Sequence, residues 1–372
     1  MKKKCVPALL AIMLTFNTVN GFAASEAANS KTEITANTDK DQSLDDNILT
    51  VDEALTMATE YSRTLKNLSE QNEINELTAD DTRIDLRWSN EYVEVTNLNV
   101  ELKDLMNSLQ NYDNNIEIEK EKLRLNIIEI FASIINAEDS VEMYDKEIEL
   151  NERELKIAKI KNSLGLLSQT EYNSLITENE KIKSNKQSLE SALEETYSSL
   201  NSVMGQPLST RYTVELDVEY EPLGDVDLDY TITKATTSSQ TIKDLENEAE
   251  IAEYKLDVYS HEYSGGYKET AQSNYAQATR NLEDAKTSME ADITSIYNNI
   301  KTSETEYANN TATLNQKKQE LEVKKLQLEL GKITQLEYDK AEYEIEQLEN
   351  TIKQGVYSHY ILVCKFNNPD LI

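Results

Sequence analysis

Residues that punctuate or crosslink a chain are scarce here. Among 372 residues there are 8 Gly, 4 Pro, 2 Cys, 2 His and 1 Trp. So few Gly and Pro allow few turns, and the elements between them must be long. Cys5 sits in the N-terminal leader, which leaves Cys364 as the single thiol afterwards and excludes an intrachain disulfide. His261 and His359 stand alone, with no HxxxH or CxxC spacing, so a transition-metal site is not expected. No GxGxxG, GxxxxGK[ST] or GxSxG occurs, and no nucleophile–base pair is in evidence. No enzyme activity and no cofactor are expected.

Positive charge is also in deficit. Lys and Arg number 37 against 69 Asp and Glu, a formal net charge of −32. Nucleic acid, held through its phosphates, is excluded as a partner, and an anionic lipid surface would repel the chain.

Long apolar runs are missing except at the start. Lys2–Lys4 form a basic region, Val6–Phe16 a short apolar run, and Gly21-Phe22-Ala23 a small-residue cleavage site. This pattern reads as a secretory signal peptide over residues 1–23, too short to span a bilayer. Cys5 precedes the apolar run, so a lipoprotein signal is not expected. Loss of Lys2, Lys3 and Lys4 with the leader takes the charge from −32 to −35. Residues 24–48, rich in Ser, Thr, Asn and Asp, read as a flexible lead-in.

What remains is helical in pattern. Leu102, Leu105, Leu109, Tyr112 and Ile116 recur at three and four. After a phase adjustment near Leu123 come Ile127, Ile130, Ile134, Ala137, Val141, Tyr144, Ile148 and Leu155. Ile293, Ile300, Tyr307, Leu314, Leu321 and Leu328 then fall at every seventh residue. Narrow stripes on such long helices are coiled-coil seams and need neighbours along their whole length.

The pattern occurs twice. "YSRTLKNLSEQNEINEL" at Tyr61–Leu77 matches "SSQTIKDLENEAEIAEY" at Ser238–Tyr254, 177 positions on. "GLLSQTEY" at Gly165–Tyr172 matches "GKITQLEY" at Gly331–Tyr338, 166 positions on. The first copy therefore carries about eleven extra residues between these points. Each copy reads as helix A, a very long helix B and helix C, with A and C end to end beside B. In copy one these are Val51–Arg87, Thr96–Leu164 and Gln169–Met204; in copy two, Tyr230–Tyr263, Tyr267–Leu330 and Thr334–Lys365. The fold class is all-α, with helical repeats over 49–207 and 229–369 and a linker over 208–228. Inside the linker, "TVELDVEY" at Thr213–Tyr220 alternates as a strand does.

The repeated motif has a mechanical reading. Gly165 and Gly331 follow the last periodic residue of each helix B, where a left-handed residue is wanted. Ser168 with Glu171, and Thr334 with Glu337, form capping boxes. Each motif thus specifies a tight antiparallel helix hairpin. Glu171 and Glu337 are caps, caps alone or caps that also form an acidic rim. Trp88, at the opposite reversal, reads as a packed loop aromatic, with an interface anchor as the other reading, and Cys364 in "YILVCKF" as a buried core thiol.

Together, the signal peptide, the opening "LTVDEALTMATEYSRTLKNL", the duplication, the G-x-x-[ST]-x-x-[DE] tips and the "VMGQP" end of copy one resemble the TolC-like outer-membrane efflux proteins over Leu49–Pro369. The resemblance implies an outer-membrane location and a homotrimer whose helices form a hollow α-barrel. It also implies tips that meet a periplasmic adaptor protein linked to an inner-membrane transporter. By position, Gly165, Ser168 and Glu171 match the first tip, and Gly331, Thr334 and Glu337 the second, with Glu337 at the aperture. A second acidic aperture position falls on Lys340. Members that pierce the outer membrane place two strands between A and B, about 25 residues with the turn. "RWSNEYVEVTNLNV" and "SHEYSGGYKETAQSN" do not supply them. The other reading is an exported coiled-coil spacer or adaptor with no channel of its own.

Overall fold

The computed structural model describes residues 48–260 and 266–372. The leader, the lead-in up to Asn47, His261 and the expected end of the second helix A at Tyr263 lie outside the described residues. Ten elements and a short terminal turn follow in order. They are β1 (Ile48–Leu49), α1 (Val51–Tyr61), α2 (Arg63–Trp88), α3 (Tyr92–Ser163), α4 (Gln169–Met204) and β2 (Thr213–Val214). Then come α5 (Leu228–Ser238), α6 (Gln240–Ser260), α7 (Tyr267–Glu329), α8 (Gln335–Asn367) and a 3-10 turn at Pro369–Leu371.

α3 has 72 residues and α7 has 63, which at the helical rise makes them about 110 and 95 Å long. They run parallel. α2 and α4 follow one another along one flank of α3, while α6 and α8 lie between α3 and α7. The result is a single layer of helices in the order α2/α4, α3, α6/α8, α7.

Helix A is not continuous in either half. Ser62 (φ −51°, ψ 118°) separates α1 from α2, and Ser239 (φ −58°, ψ 135°) separates α5 from α6. The two serines are 177 positions apart, and each closes an eleven-residue helix. Ser62 Oγ accepts the Leu65 N–H at 3.2 Å, so the serine ends one helix and caps the next. Ser239 is fully buried, and its hydroxyl donates to Asp370 Oδ1 at 2.7 Å. The same oxygen accepts the Gln240 N–H at 2.9 Å. Thr50 and Asp227, also 177 apart, cap α1 and α5.

The apolar core gathers at mid-length. Leu49, Ala58, Ile127, Phe131, Ile134, Leu200, Met204 and Val214 form one cluster. Ala235, Ile293, Ile296, Ile300 and Phe366 form the other. Gly205, at φ 69°, ends α4 beneath Tyr61, whose ring occupies the place a Cβ would take. Cys364 is half-buried rather than a full core residue, and burial pushes its thiol up.

The expected strand at Thr213–Tyr220 is corrected to Thr213–Val214, paired in parallel with Ile48–Leu49. Pairing stops because the partner enters α1 at Val51, leaving one further bond from Glu215 N–H to Leu49 C=O at 3.2 Å. Beyond it the alternation persists without a partner strand. Glu215, Asp217, Glu219 and Glu221 are exposed, while Leu216, Val218 and Tyr220 are half-buried. Tyr220 stacks on Tyr307 at 3.6 Å, and Leu223 N–H donates to Glu304 Oε1 at 2.7 Å, which fastens the linker to α7.

Nine of the eleven extra residues of the first half lie in the helix. Ile127, Ile130 and Ile134 stand 166 positions from Ile293, Ile296 and Ile300, whereas the helix starts, Tyr92 and Tyr267, stand 175 apart. Nine residues are therefore absorbed between Tyr92 and Ile127, within unbroken α3. The α2–α3 link is the three residues Ser89–Glu91, and six residues join α6 to α7. β1 and β2 are the only strands among the described residues.

Candidate functional site

Because α3 and α7 are parallel, their C-terminal turns lie at one end of the molecule. Both turns are built alike. Gly165 and Gly331 take φ 71° and 66°. The next residue's N–H reaches five residues back, Leu166 to Lys161 C=O and Lys332 to Gln327 C=O, both at 2.8 Å. This is the Schellman closure that a left-handed glycine permits. Nothing lies within 4 Å of a Cβ at either glycine, so backbone conformation alone calls for glycine there.

The next helices start on the expected caps. The Glu171 carboxylate accepts the Ser168 N–H at 3.0 Å and its hydroxyl at 2.8 Å, while Ser168 Oγ accepts the Glu171 N–H at 3.2 Å. Thr334 and Glu337 repeat this at 2.8, 3.0 and 3.3 Å. The donated backbone N–H, then the hydroxyl, hold both carboxyls below the usual carboxylate range. Both glutamates are exposed, so each is an anion turned back onto its own helix start.

Tip geometry includes a feature that the sequence reading did not single out. Leu164 (67% exposed), Leu166 (74%) and Leu330 (70%) project into solvent at the turns, with Ile160 and Leu326 one turn above. Ile160–Leu164 and Leu326–Leu330 are each four apart and lie off the seam positions Leu155, Leu321 and Leu328. Lys340 is held by Glu154 at 2.6 Å, and Asp339 by Arg153 at 2.6 Å, so the positions next to Glu337 are engaged with α3. These pairs continue upward as Lys146–Glu346, Lys353–Asp139 and Lys365–Glu129.

At the opposite end Trp88 is 79% exposed, which overturns its reading as a packed aromatic. The three-residue link gives its ring nothing to pack under. Ile74, Leu77 and Ile84 continue an exposed apolar line down α2. Among the described residues no cluster of His, Cys, Asp or Glu could hold a metal ion, and no helix is long and apolar enough to cross a membrane.

The architecture is thus a single layer of helices with two very long parallel members and two hairpin tips at one end. It recurs in solved structures. The Campylobacter jejuni CmeC outer membrane channel superposes with TM-score 0.62 at 11% identity, over 93% of each chain. A membrane protein from Pseudomonas aeruginosa gives 0.62 at 11% identity, over 85% of this chain and 92% of that one. The open-state Neisseria gonorrhoeae MtrE outer membrane channel gives 0.54 at 12% identity, over 94% and 99%. This chain has the TolC-like fold. No protein-family model and no curated protein matches it by sequence. Within the TolC-like fold, Gly165, Ser168 and Glu171 form the turn of the α3–α4 hairpin, and Gly331, Thr334 and Glu337 that of the α7–α8 hairpin.

Proposed function

We propose that the chain is a subunit of an efflux or export channel, a homotrimeric α-helical conduit of the cell envelope. It works with a periplasmic adaptor protein and an inner-membrane transporter. The observation that carries this reading is the open layer. Among the described residues, α7 packs on α5, α6 and α8, all on one side, and α2 packs on α3 while exposing Ile74, Leu77, Ile84 and Trp88. Helices about 95–110 Å long with bare outer flanks need neighbours, and copies of the same layer joined edge to edge around an axis would supply them. The exposed leucines at the tips suit an adaptor, and an acidic lumen would favour cations. No chemistry is assigned to the chain. Sedimentation of the mature protein tests the assembly. Three chains per particle and a cation-selective conductance after reconstitution are expected; a stable monomer would sink the channel reading.

One observation favours a second reading, an exported coiled-coil spacer or adaptor without a channel. The three residues between α2 and α3 leave no room for a membrane-spanning strand pair, which needs about 25. Monomeric sedimentation with no conductance is its expected signature.

A further inference from the structure

The bare aliphatic side chains near the tips are duplicated in register. On α3, Ile157, Ile160 and Leu164 are 42, 61 and 67% exposed. On α7, each 166 positions further on, Val323, Leu326 and Leu330 are 55, 59 and 70% exposed. Both sets are spaced i, i+3, i+7, so each forms a stripe down one face at the end of its helix. Single apolar residues scattered over a surface are ordinary; a contiguous stripe present at both tips marks an interaction site.

This stripe is not the flank that a neighbouring copy covers. α3 already has helices on both sides at this level. Lys183 of α4 meets Glu152 at 2.9 Å, and Asp339 and Lys340 of α8 meet Arg153 and Glu154 at 2.6 Å. Ile157, Ile160 and Leu164 stay open between them. By the repeat, the α7 stripe holds the same face relative to α8 and stays open beside a second copy. The apolar surface is also one-sided. Gln169, Thr170, Asn173 and Gln335, at the starts of α4 and α8, are exposed and polar. That suits a packing face rather than an end immersed in lipid.

Charge is inverted here. Over residues 157–172 and 323–338, Lys159, Lys161, Lys324, Lys325 and Lys332 stand against Glu171, Glu329 and Glu337, in a chain with 37 basic and 69 acidic residues. Among the described residues none of these five lysines makes an ion pair, whereas Lys317, Lys318 and Lys340 nearby do. Glu171 and Glu337 are turned onto their own helix starts. Lys324 of the second tip and Lys161 of the first both act on Glu337, so the two tips share one positive field.

We infer that the tips dock an acidic helical segment of a partner protein. Its apolar ridge lies along the aliphatic stripes, and Asp or Glu beside that ridge meet the lysines. A straight i, i+3, i+7 stripe is matched by the ridge of another helix, and opposite charge steers and selects the partner. The inference gives the tip partner a chemistry, so it rests on the adaptor part of the reading above, and not on the trimer or the conductance.

The test uses the full mature chain and two labelled synthetic helical peptides. One has Leu at i, i+3 and i+7 with Glu at the positions beside them; the other has Lys in place of Glu. Fluorescence anisotropy measures binding, and hydrogen–deuterium exchange locates it. Saturable binding of the Glu peptide is expected, weakening as salt rises, with new protection at 157–166 and 323–332. The Lys peptide, drawn to the acidic remainder of the chain, should leave those segments unprotected. Glu in place of Lys159, Lys161, Lys325 and Lys332 should weaken Glu-peptide binding about tenfold or more, and Arg at the same positions should retain it. Ile160→Ser with Leu326→Ser should weaken it roughly threefold or more. All these side chains are exposed, and an unchanged urea midpoint checks that each variant keeps its fold. No saturable binding, equal protection of the tips by the Lys peptide, or binding indifferent to the substitutions would overturn the proposal. So would tighter binding to phosphatidylglycerol vesicles that is lost in the Glu variant, because the tips would then seek lipid. Three chains per particle without peptide binding would sink this inference alone, and a monomer that binds the peptide would sink the channel reading alone.

Discussion

Asp370 reaches across 131 positions of sequence to accept the buried Ser239 hydroxyl, and it caps the adjacent Gln240 N–H with the same oxygen. The break between α5 and α6 is therefore maintained from the far end of the described chain. Asp370→Ala leaves a buried hydroxyl and a helix-start N–H without that acceptor. The expected cost is about 1–3 kcal/mol, read as a lower urea midpoint with an unchanged slope. Faster amide exchange at the start of α6, with α2 unaffected, is the local signature.

Gly205 and Gly331 share a left-handed backbone but differ in surroundings. Gly331→Ala should cost about 1–2 kcal/mol, the strain of that conformation alone. Gly205→Ala should cost more, because its Cβ would sit on the Tyr61 ring. Adding Tyr61→Ala to Gly205→Ala should recover part of the loss and do nothing for Gly331→Ala. Equal midpoints for the two glycine variants would contradict the clash.

Glu171 and Glu337 separate capping from charge. Glu→Gln at both keeps some capping capacity and removes two anions. Ser168→Ala and Thr334→Ala each should lower stability by about 1 kcal/mol. With folded carboxyl pKa values below the ordinary 4.5, the caps stabilise fully above that pH and are lost as pH falls through the lowered values. Stability measured between pH 6 and 3 should therefore fall less steeply in the double Gln variant. If the Gln variant also binds adaptor and transports normally, the acidic rim has no role beyond capping.

His359 is buried on α8, its Nε2 3.7 Å from Glu304 Oε1 and its ring 5.1 Å from Tyr220. Lys301 and Glu304 face it from α7, and Tyr220, itself stacked on Tyr307, faces it from the linker. Burial is the main cause that lowers its pKa from 6.5. The neutral ring is the form the fold accommodates, so its contribution is complete above pH 6.5 and is lost as pH falls through the lowered value. His359→Gln should flatten the stability profile in that window. An unchanged profile would show that another group titrates there.

The tips were legible in the sequence because everything that shapes them is local. Gly165 with Ser168 and Glu171 carries its own instructions within seven residues, as do Gly331, Thr334 and Glu337. The long helices were legible through their stripes. The breaks at Ser62 and Ser239 were not, since a serine within a helical pattern is a weak breaker and, for Ser239, the deciding partner is Asp370. The β1–β2 pairing was half-visible: alternation marked Thr213–Tyr220, but its length depends on where α1 begins. The pairing of α3 with α8 left no sequence signal, because its Lys–Glu and Arg–Asp rungs look like any other charged surface. The exposed leucines at the tips fall off the seam positions and beside the turn glycines, where the pattern gives no sign of whether a side chain is covered.

That α3–α8 seam has a consequence for how the molecule comes into being. Within each hairpin, Lys183 meets Glu152 and Lys317 meets Glu344, closing loops of 31 and 27 residues. Arg153 meets Asp339 and Lys353 meets Asp139 only by closing loops of 186 and 214. Near contacts form early and distant ones late, and these rungs are half-exposed pairs of about 0–1 kcal/mol each. Each hairpin can zip on its own as it is synthesised. The two halves then join along a weak, salt-sensitive line that closes last and opens first.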